Sequence, residues 1–156
     1  MSTSFNISKY KIGWYFEQAR DTAGAAIVVI LLKSSGLESD SSIADYDNVA
    51  ALLAGSSDQA DFTNYARKTI SGGANVTVTV DDTNNKVLLD LTDQTWSAAG
   101  GATNNTLGAV LLAYDSNTAS GTDTDLVPLL KLDFTATTDG NDLLLRFNTE
   151  GAARIT

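Results

Sequence analysis

The feature that most constrains this chain is the apolar run AGAAIVVILL at residues 23–32. Successive residues of a strand face opposite sides, so residues 27–32, apolar throughout and rich in β-branched side chains, need cover on both faces. This predicts a central strand between two layers, not an edge strand with one wet face. The run is half the roughly 20 residues that a helix needs to cross a bilayer, so it cannot span one. Glu17 and Asp21 precede it and KSSGLESD follows without a small-x-small cleavage pattern, which argues against a secretory leader. A protein made and kept in a cytoplasm is the expectation.

The rest of the chain supplies the layers. In residues 43–54, Ile43, Tyr46, Val49, Ala50 and Leu53 recur at helical spacing, Ser41 or Ser42 can cap the start, and Gly55 ends the run. One short helix is expected there. From residue 62 the pattern turns to β. FTNYARKTI is rich in aromatic and β-branched residues and ends at SGGAN. Val76, Val78 and Val80 alternate with Thr77 and Thr79; Val87, Leu89 and Leu91 answer them across the five-residue turn DDTNN, which predicts a hairpin. Trp96 falls in a short strand, and residues 107–115, 126–134 and 142–150 complete the set. Pro128 has no amide hydrogen, so its strand must be at an edge or bulged. Seven or eight strands at this spacing predict a mainly β fold: an antiparallel, jelly-roll-like β-sandwich with one short helix and an extended N-terminal arm. Residues 1–20 read as the arm and first strand, and residues 21–156 as a single sandwich domain.

Charge divides the chain at the same place. The net charge is −9 over 156 residues, yet residues 1–20 carry Lys9, Lys11 and Arg20 against Glu17 alone. The acidic body repels phosphate backbones and anionic lipid, so neither nucleic acid nor membrane is an expected partner. With no cysteine and no histidine, thiol nucleophiles, imidazole bases and thiolate or imidazole metal sites are excluded. Three remaining constellations deserve weight. Asp81, Asp82, Asp123, Asp125, Asp139 and Asp142 supply the oxygens calcium prefers, but the register of a calcium loop is missing, and aspartates in turns ordinarily bond their own backbone. A carboxylate-based glycosidase would need a converging pair, and Glu17, Glu38 and Glu150 lie in unrelated stretches. Ser8 beside Lys9 lacks a cavity to desolvate the lysine. No catalytic residue, no metal and no cofactor is assigned. KYKIGWYF, by contrast, alternates cations with aromatics. Trp14, Tyr15 and Phe16 are three aromatics in succession, which a two-faced strand cannot hide in one core.

As an ordered series, DNVAALLAGSSDQADF, TNYARKTI, VTVDDTNNKVLLDLTDQTWSAAGG, GAVLLAYDSNTASGTDTDLVPL and LDFTATTDGNDLLLRFNTEG resemble small proteins encoded among the virion genes of tailed bacteriophages. The resemblance covers roughly residues 27–154 and is carried best by residues 65–69, by DDTNN with Trp96 downstream, and by TDTDLVPL at 122–129. It is closest in kind to head decoration (cement) proteins. It implies a non-enzymatic, β-rich protein of the capsid exterior that binds the major capsid protein and stabilises the shell, often as a homotrimer. The candidate capsid-interface residues are Lys9, Tyr10, Lys11, Trp14 and Tyr15, with the arm expected to be dispensable for folding. The alternative is a tail fibre or spike domain that binds host glycans, for which Trp96 and Tyr114 are the aromatics on offer.

Overall fold

In a computed structural model of the chain, which describes residues 2–148 and 151–155, the apolar run becomes strand β2 (Ala26–Lys33). The other strands are β1 (Ser2–Ser4), β3 (Lys68–Ile70), β4 (Val76–Asp81), β5 (Lys86–Leu91), β6 (Gln94–Trp96), β7 (Thr106–Asp115), β8 (Val127–Thr137), β9 (Leu143–Leu145) and β10 (Ala153–Ile155). The helices are α1 (Ile12–Asp21), α2 (Asp40–Ile43) and α3 (Val49–Ala54). The chain is 37% strand and 13% helix, and the described strands pair antiparallel in a β-sandwich-like arrangement.

A five-stranded sheet of order β1-β8-β7-β2-β3 forms the centre, with a three-stranded sheet β10-β5-β4 and a pair β6-β9 beside it. β2 does what its composition requires. Ile27, Val29 and Leu31 point into one core, and Val28, Ile30 and Leu32 into another on the opposite face. The first core is closed by Phe16 and Ala19 of α1, Val76 of β4, Leu89 and Leu91 of β5, Trp96 of β6 and Leu145 of β9. The second is closed by Phe5, Ile43 of α2, and Val49 and Leu52 of α3. Each such fully buried aliphatic side chain contributes about 1.5–3 kcal/mol, so the double cover of β2 is a large part of the fold's stability. No helix among the described residues is long and apolar enough to cross a membrane.

Several local expectations hold in detail. β4 and β5 form the hairpin, in register from Val76↔Leu91 to Asp81↔Lys86. Its turn is one residue shorter than expected because Asp81 is the last strand residue and its carboxylate accepts the Asn84 amide at 3.1 Å. Pro128 lies in an interior strand and is accommodated by an irregularity: the register steps from Leu112↔Leu130 to Ala113↔Pro128. A second irregularity at Gly108 lets β7 pass the Ser34 turn, where a Cβ on that glycine would come within 2.9 Å of Ser34 Cα.

Three expectations are corrected. The segment FTNYARKTI is a strand only at Lys68–Ile70, since Asn64 adopts φ 69° and Tyr65 turns its side chain toward β2, where its hydroxyl accepts the Leu31 amide at 3.1 Å. The single helix expected at 43–54 is two short ones, capped separately by Ser39 and Asn48 side chains. The N-terminal segment is not an arm leading into a first strand but is packed into the domain. Ser2–Ser4 pairs with β8, Phe5 is fully buried, and residues 12–21 are helical. The helix is set by Ile12, Tyr15, Phe16 and Ala19, whose i, i+3, i+4, i+7 spacing turns one stripe onto the first core. The expectation took the alternation of cations and aromatics for a strand period and passed over that stripe.

Candidate interaction surface

The five candidate residues lie on the turn before α1 and on its first turn. The chain enters them under tension-free but tight anchoring: the Phe5 amide donates to Leu129 O at 3.2 Å, and the buried Ser8 hydroxyl lies 3.3 Å from both Phe5 O and Leu129 O. Ser8 is thus a structural tie, while its neighbour Lys9 is exposed, so the two form no catalytic dyad. Tyr10 stands almost wholly in solvent at 96% exposure, and Lys11 is exposed at the N-cap of α1 without a side-chain capping bond. Trp14 is half exposed because helical rotation sends it away from the stripe that buries Phe16.

Tyr15 differs from the other four. It is half-buried, with its ring centroid 5.1 Å from that of Trp14 and 4.8 Å from that of Tyr114. These edge and tilted contacts make a stack running from solvent at Trp14 to the core at Tyr114. Burial, then the neighbouring Tyr15 and Asp115, push the Tyr114 hydroxyl above its ordinary range, so it stays neutral in water. Tyr15 therefore positions Trp14, and Lys9, Tyr10, Lys11 and Trp14 are the residues that can touch a partner.

Their electrostatics is unusual for this chain. The ion pairs between described residues use Arg20, Lys33, Arg67, Lys86 and Lys131; Lys9 and Lys11 join none of them. Both also flank the positive end of α1, whose first turn holds no acid. A cation there is disfavoured by about 0.3–1 kcal/mol relative to an acid. An otherwise acidic chain thus places positive charge that joins no ion pair among the described residues beside exposed aromatics. Beside this patch runs a groove of about 720 Å³ lined by Ser4, Lys9, Tyr10, Ile12, Leu130 and Ile155, among others.

The remaining candidates are accounted for by the fold. Asp81, Asp125, Asp139 and Asp142 accept the amides of Asn84, Thr122, Asn141 and Ala98, Asp123 takes the Arg67 guanidinium, and Asp82 is exposed in the turn between β4 and β5. No three metal-ligating side chains converge among the described residues. Glu38 accepts from the Tyr46 and Ser57 hydroxyls, Glu17 is exposed on α1, and Glu150 lies outside the described residues. The aromatics named for glycan binding are not presented to solvent: Trp96 is 1% exposed and Tyr114 7%. Trp96 is instead a core anchor, its indole N–H donating to Ala66 O at 2.7 Å and its ring lying under Lys68 Nζ at 5.4 Å.

One constellation escaped the reading of the sequence. Arg67 forms a fork on Asp123, with its second nitrogen 2.9 Å from the second carboxylate oxygen, and its Nε donates to Gln59 at 2.8 Å. The carboxylate is held below, and the guanidinium above, its ordinary value by this mutual hydrogen bonding. The pair moors the loop before β8 against β3, beside a polar cleft of about 330 Å³. Arg67 belongs to residues 65–69 and Asp123 to residues 122–129, while Ala66 and Lys68 hold Trp96. Residues 66–68 therefore tie Trp96 and the loop at Asp123 to one short segment, while the DDTNN turn takes no part in these contacts. Comparison of the chain with protein-family models, curated proteins and solved structures finds no match.

Proposed function

We propose that this protein is a structural component of a tailed-bacteriophage virion, attached to the outer surface of the capsid as a decoration or cement protein. The observation that carries the reading is the patch of Lys9, Tyr10, Lys11 and Trp14: exposed aromatics and unpaired cations set on a rigid element of an acidic domain. The ordered resemblance to virion proteins supports the same reading. Attachment then works through area and copy number. Trp and Tyr give large contact area at low entropy cost, the lysines steer the domain to acidic shell surface, and repetition around the shell multiplies weak contacts. A homotrimer that binds the major capsid protein fits this reading.

The test is cosedimentation of the purified protein with shells that lack it, together with mass spectrometry of purified virions. Lys9→Glu with Lys11→Glu should weaken binding and flatten its dependence on salt, and Trp14→Ala should cost at least about 1–2 kcal/mol of binding if it is an anchor. Absence of the protein from virions, or equal binding by these variants, would refute the proposal.

A further inference from the structure

The polar cleft of about 330 Å³ beside Arg67 and Asp123 opens on the face of the central sheet opposite α1. Its floor is apolar, made by Val28 of β2 and by Leu126, which close the second core there. Its walls carry hydroxyls and charge. Thr69 of β3 pairs with Val28 and so shares its face, and Thr118 stands on the loop after β7. Neither threonine hydroxyl makes a hydrogen bond among the described residues. Asp115 gives one carboxylate oxygen to the Asn117 amide at 2.8 Å and keeps the other. Arg67 has five N–H donors; one goes to Gln59 and two to Asp123, which leaves two. These three are the charged side chains of the cleft. The walls are fixed before a ligand arrives: the Thr118 amide donates to Gly24 O at 2.8 Å, and the Ala50 amide to Asp123 O at 3.0 Å. Binding therefore has little left to order.

We propose that this cleft binds a neutral polyhydroxylated ligand, one sugar ring of a glycan, with its hydroxyls on Thr69, Asp115, Thr118 and Arg67 and its C–H face on Val28 and Leu126. Charge selects this class. Asp123 already neutralises Arg67, so a phosphate or carboxylate would stand beside Asp115 with no free cation opposite it. A cationic ligand would meet the guanidinium. A neutral ring rich in donors and acceptors pairs the spare oxygen of Asp115, the spare N–H groups of Arg67 and both threonine hydroxyls, so nothing polar is desolvated without a partner. Size agrees, since the cleft lies at the lower end of the roughly 300–1,000 Å³ of small-molecule sites. With no aromatic ring in its walls, a single cleft binds weakly, on the order of 1 mM, and repetition over many copies strengthens attachment to a glycan-bearing surface. The inference goes beyond capsid attachment and does not depend on it. Trp14 stands on α1, which covers the first core, whereas the cleft opens over the second, so a domain seated through that patch leaves the cleft accessible.

The test is a titration of the full-length, nitrogen-15-labelled protein followed by amide NMR. The probes are methyl glycosides of neutral hexoses, deoxyhexoses, pentoses and N-acetylhexosamines, each raised to tens of millimolar. At least one should shift the amides of Thr69, Asp115 and Thr118 along a saturating curve. Thr69→Val with Thr118→Val keeps the side-chain shape, removes both hydroxyls and should weaken that binding at least about tenfold. Should the double variant lose its fold by circular dichroism, Ala119→Trp narrows the mouth of the cleft without removing a polar side chain and should weaken the same binding several-fold. No shift at the cleft across the panel, or binding unaltered by the substitutions, overturns the proposal. An equal shift by inorganic phosphate or by methylammonium also overturns it, because the cleft would then take a charged ligand. Cosedimentation with shells reads the Lys9–Trp14 patch, which none of these substitutions touches, so either inference can fail alone.

Discussion

Replacing Phe5 by alanine separates a dispensable arm from an integral part of the core. The ring is fully buried in the second core, together with Ile30 and Leu32 of β2 and Leu52 of α3. Truncating a buried phenylalanine costs about 3–5 kcal/mol, from lost transfer energy and the cavity left behind. Domains of this kind have about 5–15 kcal/mol in total, so the loss is a substantial fraction of the whole. At about 2–4 °C per kcal/mol for a chain of this length, the midpoint of thermal unfolding should fall by about 6–20 °C. Urea and thermal unfolding followed by far-ultraviolet circular dichroism, at one protein concentration for all variants, measure it. Tyr10→Ala, five residues on and 96% exposed, is the control and should stay within about 0.5 kcal/mol. Equal stabilities for the two variants would refute the packing of the N-terminal segment and restore the arm.

Two further outcomes follow from named contacts. The Asp133 carboxylate, beside the Lys131 ammonium, is held down to about 2 from 3.8; its contribution to stability is therefore complete above about 3.8 and is lost as pH falls through about 2. Asp133→Asn should lower stability at neutral pH and make the loss across that acid window shallower, and urea midpoints with an unchanged slope across it would show the contact to be idle. Trp14→Phe leaves only the buried Trp96, which should emit at short wavelength and resist acrylamide, whereas Trp96→Phe leaves the half-exposed Trp14, which should be readily quenched. The latter substitution also removes the indole N–H that the Ala66 carbonyl accepts, and equal quenching in the two variants would contradict their placement.

Local pattern carried a good part of the architecture. The unbroken apolar run of β2 demands cover on two sides, and the alternating valines of β4 and β5 demand a hairpin, because strand geometry makes sidedness a property of neighbouring residues. The bulge at Pro128 was legible for a similar reason, a missing amide hydrogen. The N-terminus was misread where two periods overlap: cations and aromatics alternate at 9–16, but Ile12, Tyr15, Phe16 and Ala19 form the helical stripe that finds a core to bury it. Of the five candidate residues, four are on the surface as expected, while Tyr15 serves as their support.

What the chain's own order of residues determined is therefore the long central strands and the β4–β5 hairpin, the need for a twice-covered centre, the acidic body and the basic, aromatic patch near the start; β1, β10 and the shortness of β3 and β9 were not legible in it. Only the tertiary structure decided which faces stay open. It moved Trp96 into the core, joined Arg67 to Asp123 across 56 positions of chain, and left Val80 and Ile155 exposed. Side-chain period is local and can be read residue by residue, whereas cover depends on which distant segments arrive above a face and how far they extend.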